Sequence, residues 1–462
     1  MDTIKQSKKQ QEANRLQSRI TTFISGFQIG TALNQSGIRK IKGATPLALF
    51  MAIFLLPFEG NNFFQGIVKN ESLPFKKDSA YDFLKNPCHN WRKFMQIIVV
   101  KVFVFINRLT DENRERVFIF DDSTYDRSRS KMVELLAWIF DHNTGKHLKG
   151  FKLLTLGWSD GASFLPLDFI LCSSAKASKR VQEIKEEVDK RTSSYKRKME
   201  AITKSTDHLE SMVQRALALG IKADYILMDS WFSFPAILAK LGQHLPVICM
   251  AKNMPKVFYN HDGKWLTLGS VYAKLKKRPG KAKILASTIV KTKLDQEVKI
   301  VFVRHRQKKR AWLAVLSTKT DLPDEEIIRI YGKRWDIEVF FKMAKHHLNL
   351  EKEAQLRSYD GMIGHITIVM VRYIFLAYEQ RCHDDPKTIG DLFFACSDEM
   401  DDLSLVEALQ RLLTLVMDEI RSAGNLVEAA ILDMIDSIMA TAIDFIKSGQ
   451  RLLGNNIVNS AC

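Results

Sequence analysis

The chain has 462 residues, 46% of them hydrophobic, with 28 Phe and 7 Trp. That length exceeds the roughly 250–300 residues at which single cores stop growing, so two to four domains are expected, and the apolar content excludes a disordered chain. Lys and Arg total 69 against 52 Asp and Glu, a net charge of +17 with a sequence pI near 9.4, which favours an anionic partner.

The charge is unevenly spread. From Asp391 to the end 12 acidic residues face 4 basic ones, so that segment carries −8 and residues 1–390 carry +25. The longest apolar runs, Pro46–Phe58 and Met95–Asn107, fall short of the ~20 residues that span a bilayer. The start is polar, without an apolar leader core. These features predict a soluble, unexported, cytoplasmic chain with no membrane partner. Six cysteines (Cys88, Cys172, Cys249, Cys382, Cys396, Cys462) are scattered without a Cys-x-x-Cys pair, which argues against a disulfide framework or a zinc site.

In chain order, residues 1–112 read as helical, with apolar helices near Leu47–Leu56 and Trp91–Leu109 and a basic start. Within them Gly30–Lys40 has the pattern of a helix closing on a glycine before a basic turn, as in helix-turn-helix units, which suggests a DNA-binding region. From Arg116 the pattern turns β-rich: Val117–Phe120, Lys152–Gly157 and Phe164–Cys172 predict an antiparallel meander. Lys176 to about Gly220 is rich in charge and reads as one or two solvated helices. A strand at Tyr225–Met228, a helix at Phe234–Leu241 and a strand at Pro246–Met250 follow. Residues 252–310 are basic and β-like, with turns at His261–Lys264 and Arg278–Lys281, and look like an inserted β-domain. Ala311–Ser317 returns to a core strand, Asp324 to about Leu350 predicts one helix, and residues 351–462 read as helical.

Three positions carry the chemistry. The apolar run Val117–Phe120 ends in Asp121-Asp122-Ser123-Thr124, and Ile226–Met228 ends in Asp229-Ser230-Trp231-Phe232. Carboxylates delivered by two neighbouring strand ends suit a hard divalent cation; an Asp after a strand also commonly starts a turn or caps a helix. Only one of Asp121 and Asp122 can face a site, because strand side chains alternate. The third position lies in Tyr331–Lys345. On a wheel of about 100° per residue with Tyr331 at zero, Arg334, Glu338, Lys342 and Lys345 fall between about 300° and 20°. A glutamate among cations and a phenol suits a metal-binding acid beside phosphate-gripping groups. Arg127 and Arg129, just after the first aspartates, are candidate DNA-backbone contacts, and Trp231 and Phe232 are candidates for stacking on DNA or for packing. His142, His147, His346 and His347 are read as structural.

The pattern Tyr-x2-Arg-x3-Glu-x6-Lys, met by Tyr331, Arg334, Glu338 and Lys345 after the two strand-end aspartates, resembles the signature of insertion-sequence transposases of the insertion-sequence-four type. The resemblance covers residues 115–350. It implies an α/β protein whose RNase H-like catalytic core, residues 113–350, is interrupted by the β-rich insertion at about 252–310. Helical N- and C-terminal regions, 1–112 and 351–462, would flank that core. Further, it implies Asp122, Asp229 and Glu338 as ligands of two Mg²⁺ or Mn²⁺ ions, Asp122 being preferred to Asp121 because small or hydroxyl residues follow it. DNA contacts are expected from Tyr331, Arg334 and Lys345, with Lys342 added from its place on the same helix face. Trp265 is a candidate to stack on a displaced base. The implied activity is cut-and-paste transposition on double-stranded DNA bearing terminal inverted repeats, performed by a homodimer in which the acidic C-terminal region takes part.

Overall fold

Local sequence sets the helix starts. Thr45 accepts the Ala48 N–H at 3.1 Å to cap a helix whose first residue is proline, and Asn90 accepts the Lys93 N–H at 3.0 Å to cap the next long apolar one. The computed structural model describes residues 19–39, 43–110, 112–141, 144–185, 188–305 and 311–382. All of them belong to one compact unit, Met1–Phe394. The basic start, Lys40, His142 and the acidic region from Asp391, with the dimer role expected of it, lie outside the described residues.

The N-terminal helices are α1 (Arg19–Gly26), α2 (Ile29–Gln35), α3 (Pro46–Leu55), α4 (Lys77–Lys85) and α5 (Trp91–Arg108). After α2, Gly37 takes φ +71°, the left-handed turn that glycine supplies without strain. Four strands follow: β1 (Val117–Asp126), β2 (Ala137–Asp141), β3 (Lys146–Ser159) and β4 (Phe164–Cys172). Next come α6 (Ser193–Ala201), α7 (Leu209–Ala218), β5 (Tyr225–Met228), α8 (Pro235–Gly242) and β6 (Val247–Met250). The segment after β6 forms β7 (Phe258–His261), β8 (Lys264–Thr267), α9 (Leu268–Lys274), β9 (Ile284–Lys291) and β10 (Glu297–Arg304). Last are β11 (Trp312–Ser317), α10 (Asp324–Gly332), α11 (Trp335–His346) and α12 (Tyr359–Cys382).

The result is a mixed α/β fold around one large mixed sheet, in the order β2-β3-β1-β5-β6-β11-β10-β9-β7-β8, with β4 also paired to β3. β1, β3 and β4 form the expected antiparallel meander, while β5 and β6 run parallel to β1. The β-rich segment at 252–310 does not close on itself: β10 hydrogen-bonds β11, and β11 hydrogen-bonds β6, so its strands continue the sheet. Every residue of β4 is buried, as expected for a strand covered on both faces. The 24-residue α12 is long and apolar enough to cross a membrane, and 94% of its apolar window is buried inside this fold. Its Arg372 is fully buried, donating to the carbonyls of Phe54 (3.0 Å) and Leu348 (3.1 Å) and pairing with Glu353 at 2.9 Å. That contact ties α3 to α12.

Two expectations are corrected here. The charged stretch 176–220 is only partly solvated: Arg197 and Lys198 of α6 are buried, and Arg92 of α5 bridges Asp168 of β4 (3.2 Å) and Glu200 of α6 (2.7 Å), with Arg215 of α7 also on Asp168 at 2.7 Å. The helix expected over 324–350 is broken. Lys333, Arg334 and Asp336 make i→i−3 bonds to Ile330, Tyr331 and Lys333, a tightening that follows Gly332 and separates α10 from α11.

Candidate active site

The parallel register of β1 and β5 decides what meets at their ends. Phe120 pairs with Met228, so the next residues, Asp121 and Asp229, are neighbours where β5 stops. β5 stops because Asp229 turns: its carboxylate accepts the Trp231 N–H and caps the short 3-10 turn Ser230–Phe232. β1 continues to Asp126 along β3, so the aspartate pair lies in mid-strand, and Asp121 and Asp122 point to opposite faces.

Asp121 faces α11. Its Oδ2 is 3.5 Å from Nη1 of Arg334, and the same guanidinium is hydrogen-bonded to the Glu338 carboxylate one turn further along. Tyr331 completes the group, with the Arg334 guanidinium 5.8 Å from its ring centre. Burial pushes the Asp121 carboxyl up to about 7; Arg334 opposes the shift, and the charges of Asp122 and Asp229 add to it. Burial also raises the Tyr331 phenol, against the opposing charge of Arg334, so it is a neutral hydrogen-bonding group at this site.

Helix α11 is held in place from both ends. Ser159 of β3 donates to Asp336 at 2.5 Å, Phe340 stacks on Phe164 with centroids 5.4 Å apart, and Lys345 donates to the Thr124 carbonyl of β1 at 2.6 Å. These contacts fix the position of Glu338 against β1.

The candidates separate as follows. Asp121, Asp229, Arg334, Tyr331 and Glu338 come together. Asp122, preferred from the sequence as the first ligand, lies on the other face of β1 and pairs with Lys152 at 3.1 Å. Arg127, expected as a DNA contact, has its guanidinium engaged internally in this structure. It donates to the Glu351 carbonyl and the Tyr125 hydroxyl, both at 2.6 Å, and lies over the Tyr125 ring at 4.4 Å. Lys345 is bound to Thr124 and, at 2.9 Å, to Glu351, whereas Arg129 and Lys342 are exposed. Trp265 is 50% exposed on β8, seven strand positions from β1 and so roughly 30 Å away along the sheet. Sequence reading preferred Asp122 and kept Asp121 as the alternative; the observation that places Asp121 beside Asp229 is the register of β1 and β5, which becomes available only once the two strands are paired.

Among the described residues no three His, Cys, Asp or Glu side chains stand close enough to form a ready-made ion site. The donor chemistry nonetheless fits a divalent cation: Asp121 and Asp229 meet by strand register and Arg334 links Asp121 to Glu338, so hard oxygen donors lie in one neighbourhood without yet forming a closed ion site. Arg334 supplies a cation between Asp121 and Glu338.

Aspartates on adjacent parallel strands with a glutamate on a following helix form a carboxylate site of the kind that nucleases use. A family model described as DDE superfamily endonuclease matches residues 47–262, just under half of the chain. The match includes Asp121, Asp122 and Asp229 and ends before Glu338. Over those residues the chain is similar to DDE superfamily endonucleases, which supports a transposase-type family, a nuclease- or transposase-like activity on DNA, and the use of divalent metal. No curated protein matches the chain.

Proposed function

We propose that the protein is a DDE transposase of the insertion-sequence-four type. It would cut and rejoin DNA at the terminal inverted repeats of its element, as a homodimer on the DNA, in the cytoplasm of a prokaryote. The observation that carries this reading is the adjacency of Asp121 and Asp229 by strand register, with Arg334 linking Asp121 to Glu338 on the signature helix. The strand order β4-β3-β1-β5-β6, with β1, β5 and β6 parallel, supports an RNase H-like core. Strands β7–β10 between Asp229 and Glu338 are the counterpart of the insertion that the resemblance implies.

In this reading Asp121, Asp229 and Glu338 hold two Mg²⁺ or Mn²⁺ ions. When bound, such a pair supplies an activated water or DNA 3′-hydroxyl and neutralises the leaving oxygen of an in-line displacement at phosphorus. The chain's own residues bind and orient: Arg334 and Tyr331 offer a cation and a neutral hydroxyl beside the carboxylates, and exposed Lys342 and Arg129 grip backbone phosphates. No covalent enzyme intermediate is required.

The test is metal-dependent cutting of labelled DNA carrying the element's ends. Asp121→Asn, Asp229→Asn and Glu338→Gln should bind and not cut, while Asp122→Asn should keep a reduced but measurable cutting activity. Cutting by all four variants at the wild-type rate would show that the site is misplaced. A dead Asp122→Asn beside an active Asp121→Asn would return the first ligand to Asp122, and wild-type protein that binds the ends without cutting them would be a DNA-binding protein that has lost catalysis.

A further inference from the structure

Of the cations in the signature segment, Lys342 is exposed, but Arg334 and Lys345 are each met by a carboxylate of this chain. The Arg334 pair joins proposed ligands. The Lys345 pair does not: its ammonium is 2.9 Å from Glu351, a residue with no place in the carboxylate site. Lys345 follows Glu338 by seven residues, about two turns on the same helix face, so it lies about 10 Å along α11 from that glutamate. That is the rise of about three nucleotides of duplex at roughly 3.4 Å each, where a strand running from the cut would present a backbone phosphate.

The position of Glu351 is imposed by the chain on either side of it. After α11 the backbone turns at Asn349, with φ +55°, in the left-handed region that asparagine tolerates. The Glu351 carbonyl is then held by Arg127 at 2.6 Å, and two residues on Glu353 is buried against Arg372 at 2.9 Å. The pair that results is exchangeable. Glu351 Oε1 makes no aligned hydrogen bond among the described residues, so its hold on Lys345 is a Coulomb contact, whereas the Thr124 carbonyl accepts a hydrogen bond from the same ammonium at 2.6 Å. An ammonium carries three donors. With Thr124 fixing one, the others can turn from a carboxylate to phosphate oxygens without any movement of the helix.

We infer that Glu351 is an internal stand-in for a DNA phosphate: it occupies Lys345 in the free protein, and a backbone phosphate must displace it before Lys345 grips the strand. Carboxylate and phosphate are both anions with several acceptor oxygens, so the exchange keeps the charge of Lys345 compensated throughout. Glu351 touches neither the reacting phosphate nor the proposed metal ligands. It acts through Lys345, as a positioning residue that sets how tightly DNA is held, because every binding event gives up this ion pair. This inference rests on the DNA reading above.

The experiment is fluorescence anisotropy with the full chain in EDTA, so that no strand is cut. The probes are two labelled duplexes, one carrying the element's ends and one of unrelated sequence. Glu351→Gln keeps the shape of the side chain and removes its charge; it should bind both duplexes about fivefold tighter than the wild type, the scale of one ion pair. Glu351→Ala should do the same, whereas a defect of folding would weaken binding. In a Lys345→Met background Glu351→Gln should gain no more than Asp126→Asn does, an exposed carboxylate at the end of β1 that is bonded to Ser128 and not to a cation. Wild-type affinity in both Glu351 variants, or a gain of the full size that persists without Lys345, overturns the inference. Metal-dependent cutting of the end duplex by the wild type would then leave the transposase reading standing. Binding of neither duplex by the wild type overturns both.

Discussion

Replacing Arg334 by Met tests the charge balance of the proposed site most directly. The guanidinium is 3.5 Å from Asp121 and also bonded to Glu338, with side chains 15%, 19% and 33% exposed, respectively. At an effective dielectric constant of 20, a pair 3.5 Å apart is worth roughly 5 kcal/mol of Coulomb attraction. The cost of desolvating Arg334 offsets much of this, leaving about 1–3 kcal/mol as the net loss expected on substitution. The loss is limited because Asp121, already raised to about 7, takes up a proton more readily once Arg334 no longer opposes its shift. Urea unfolding at pH 8 in EDTA should show Arg334→Met destabilised by that amount. Added Mn²⁺ should then stabilise the variant more than the wild type, because the ion replaces the missing positive charge without displacing a guanidinium. Equal stability in EDTA together with an equal Mn²⁺ response would refute the reasoning, since Arg334 would then be no counter-ion to the carboxylates.

Asp168 lies among Arg92, Arg215 and Arg197; burial alone would raise its pKa, but the three cations outweigh burial and hold it below its ordinary 3.8. Asp168→Asn should therefore cost about 3 kcal/mol in urea unfolding by leaving buried arginines uncompensated. Because the folded value is depressed, the stabilisation is full above the ordinary value and is lost as pH falls below it, so the acid limb of a pH–stability curve should flatten in the variant. Arg127→Ala should lower stability by about 1–2 kcal/mol through its lost internal bonds and leave the salt dependence of DNA binding unchanged, whereas Arg129→Ala and Lys342→Ala should each reduce the salt slope by about one. A Cβ at Gly157 would sit 2.1 Å from the Phe164 ring, so Gly157→Ala should cost about 1–3 kcal/mol in thermal or urea unfolding and disturb the Phe164–Phe340 stack that supports α11. Asp121→Glu keeps oxygen donors on the correct face and should retain some cutting in the end-cleavage assay, while Asp121→Asn should retain none despite an intact Asp122.

The sequence makes local features legible. Val117–Phe120 and Tyr225–Met228 read as strands because each is a short β-branched and aromatic run with a carboxylate immediately after it, and both are buried strands. Glu338 with Tyr331 and Arg334 is equally legible, because one short segment carries all three. What the sequence leaves open depends on partners far away in the chain. The charged stretch 176–220 looks solvated because its partners, Arg92, Glu134 and Asp168, lie outside it. The β-rich segment 252–310 is recognisable as strand, yet nothing local says that β10 would pair with β11 and continue the sheet. The helix break at Gly332–Arg334 was missed because Glu, Ile and Lys continue a helical pattern on both sides of it.

The aspartate doublet shows why register, more than residue type, assigns chemistry in a strand. Asp121 and Asp122 have the same side chain and adjacent positions, yet one is buried beside Arg334 and the other pairs with Lys152. No rotamer change exchanges them, because the Cα–Cβ directions are set by the pleat. Exchange would need a one-residue slip of β1. A slip of that kind would carry Phe118 and Phe120 from one face of the sheet to the other, along with Val117 and Ile119, and all four are fully buried. The core packing of those four residues therefore selects which carboxylate meets Asp229. In this way the packing of distinct side chains on the two buried faces of β1 fixes the register, and the register fixes the identity of the proposed ligand.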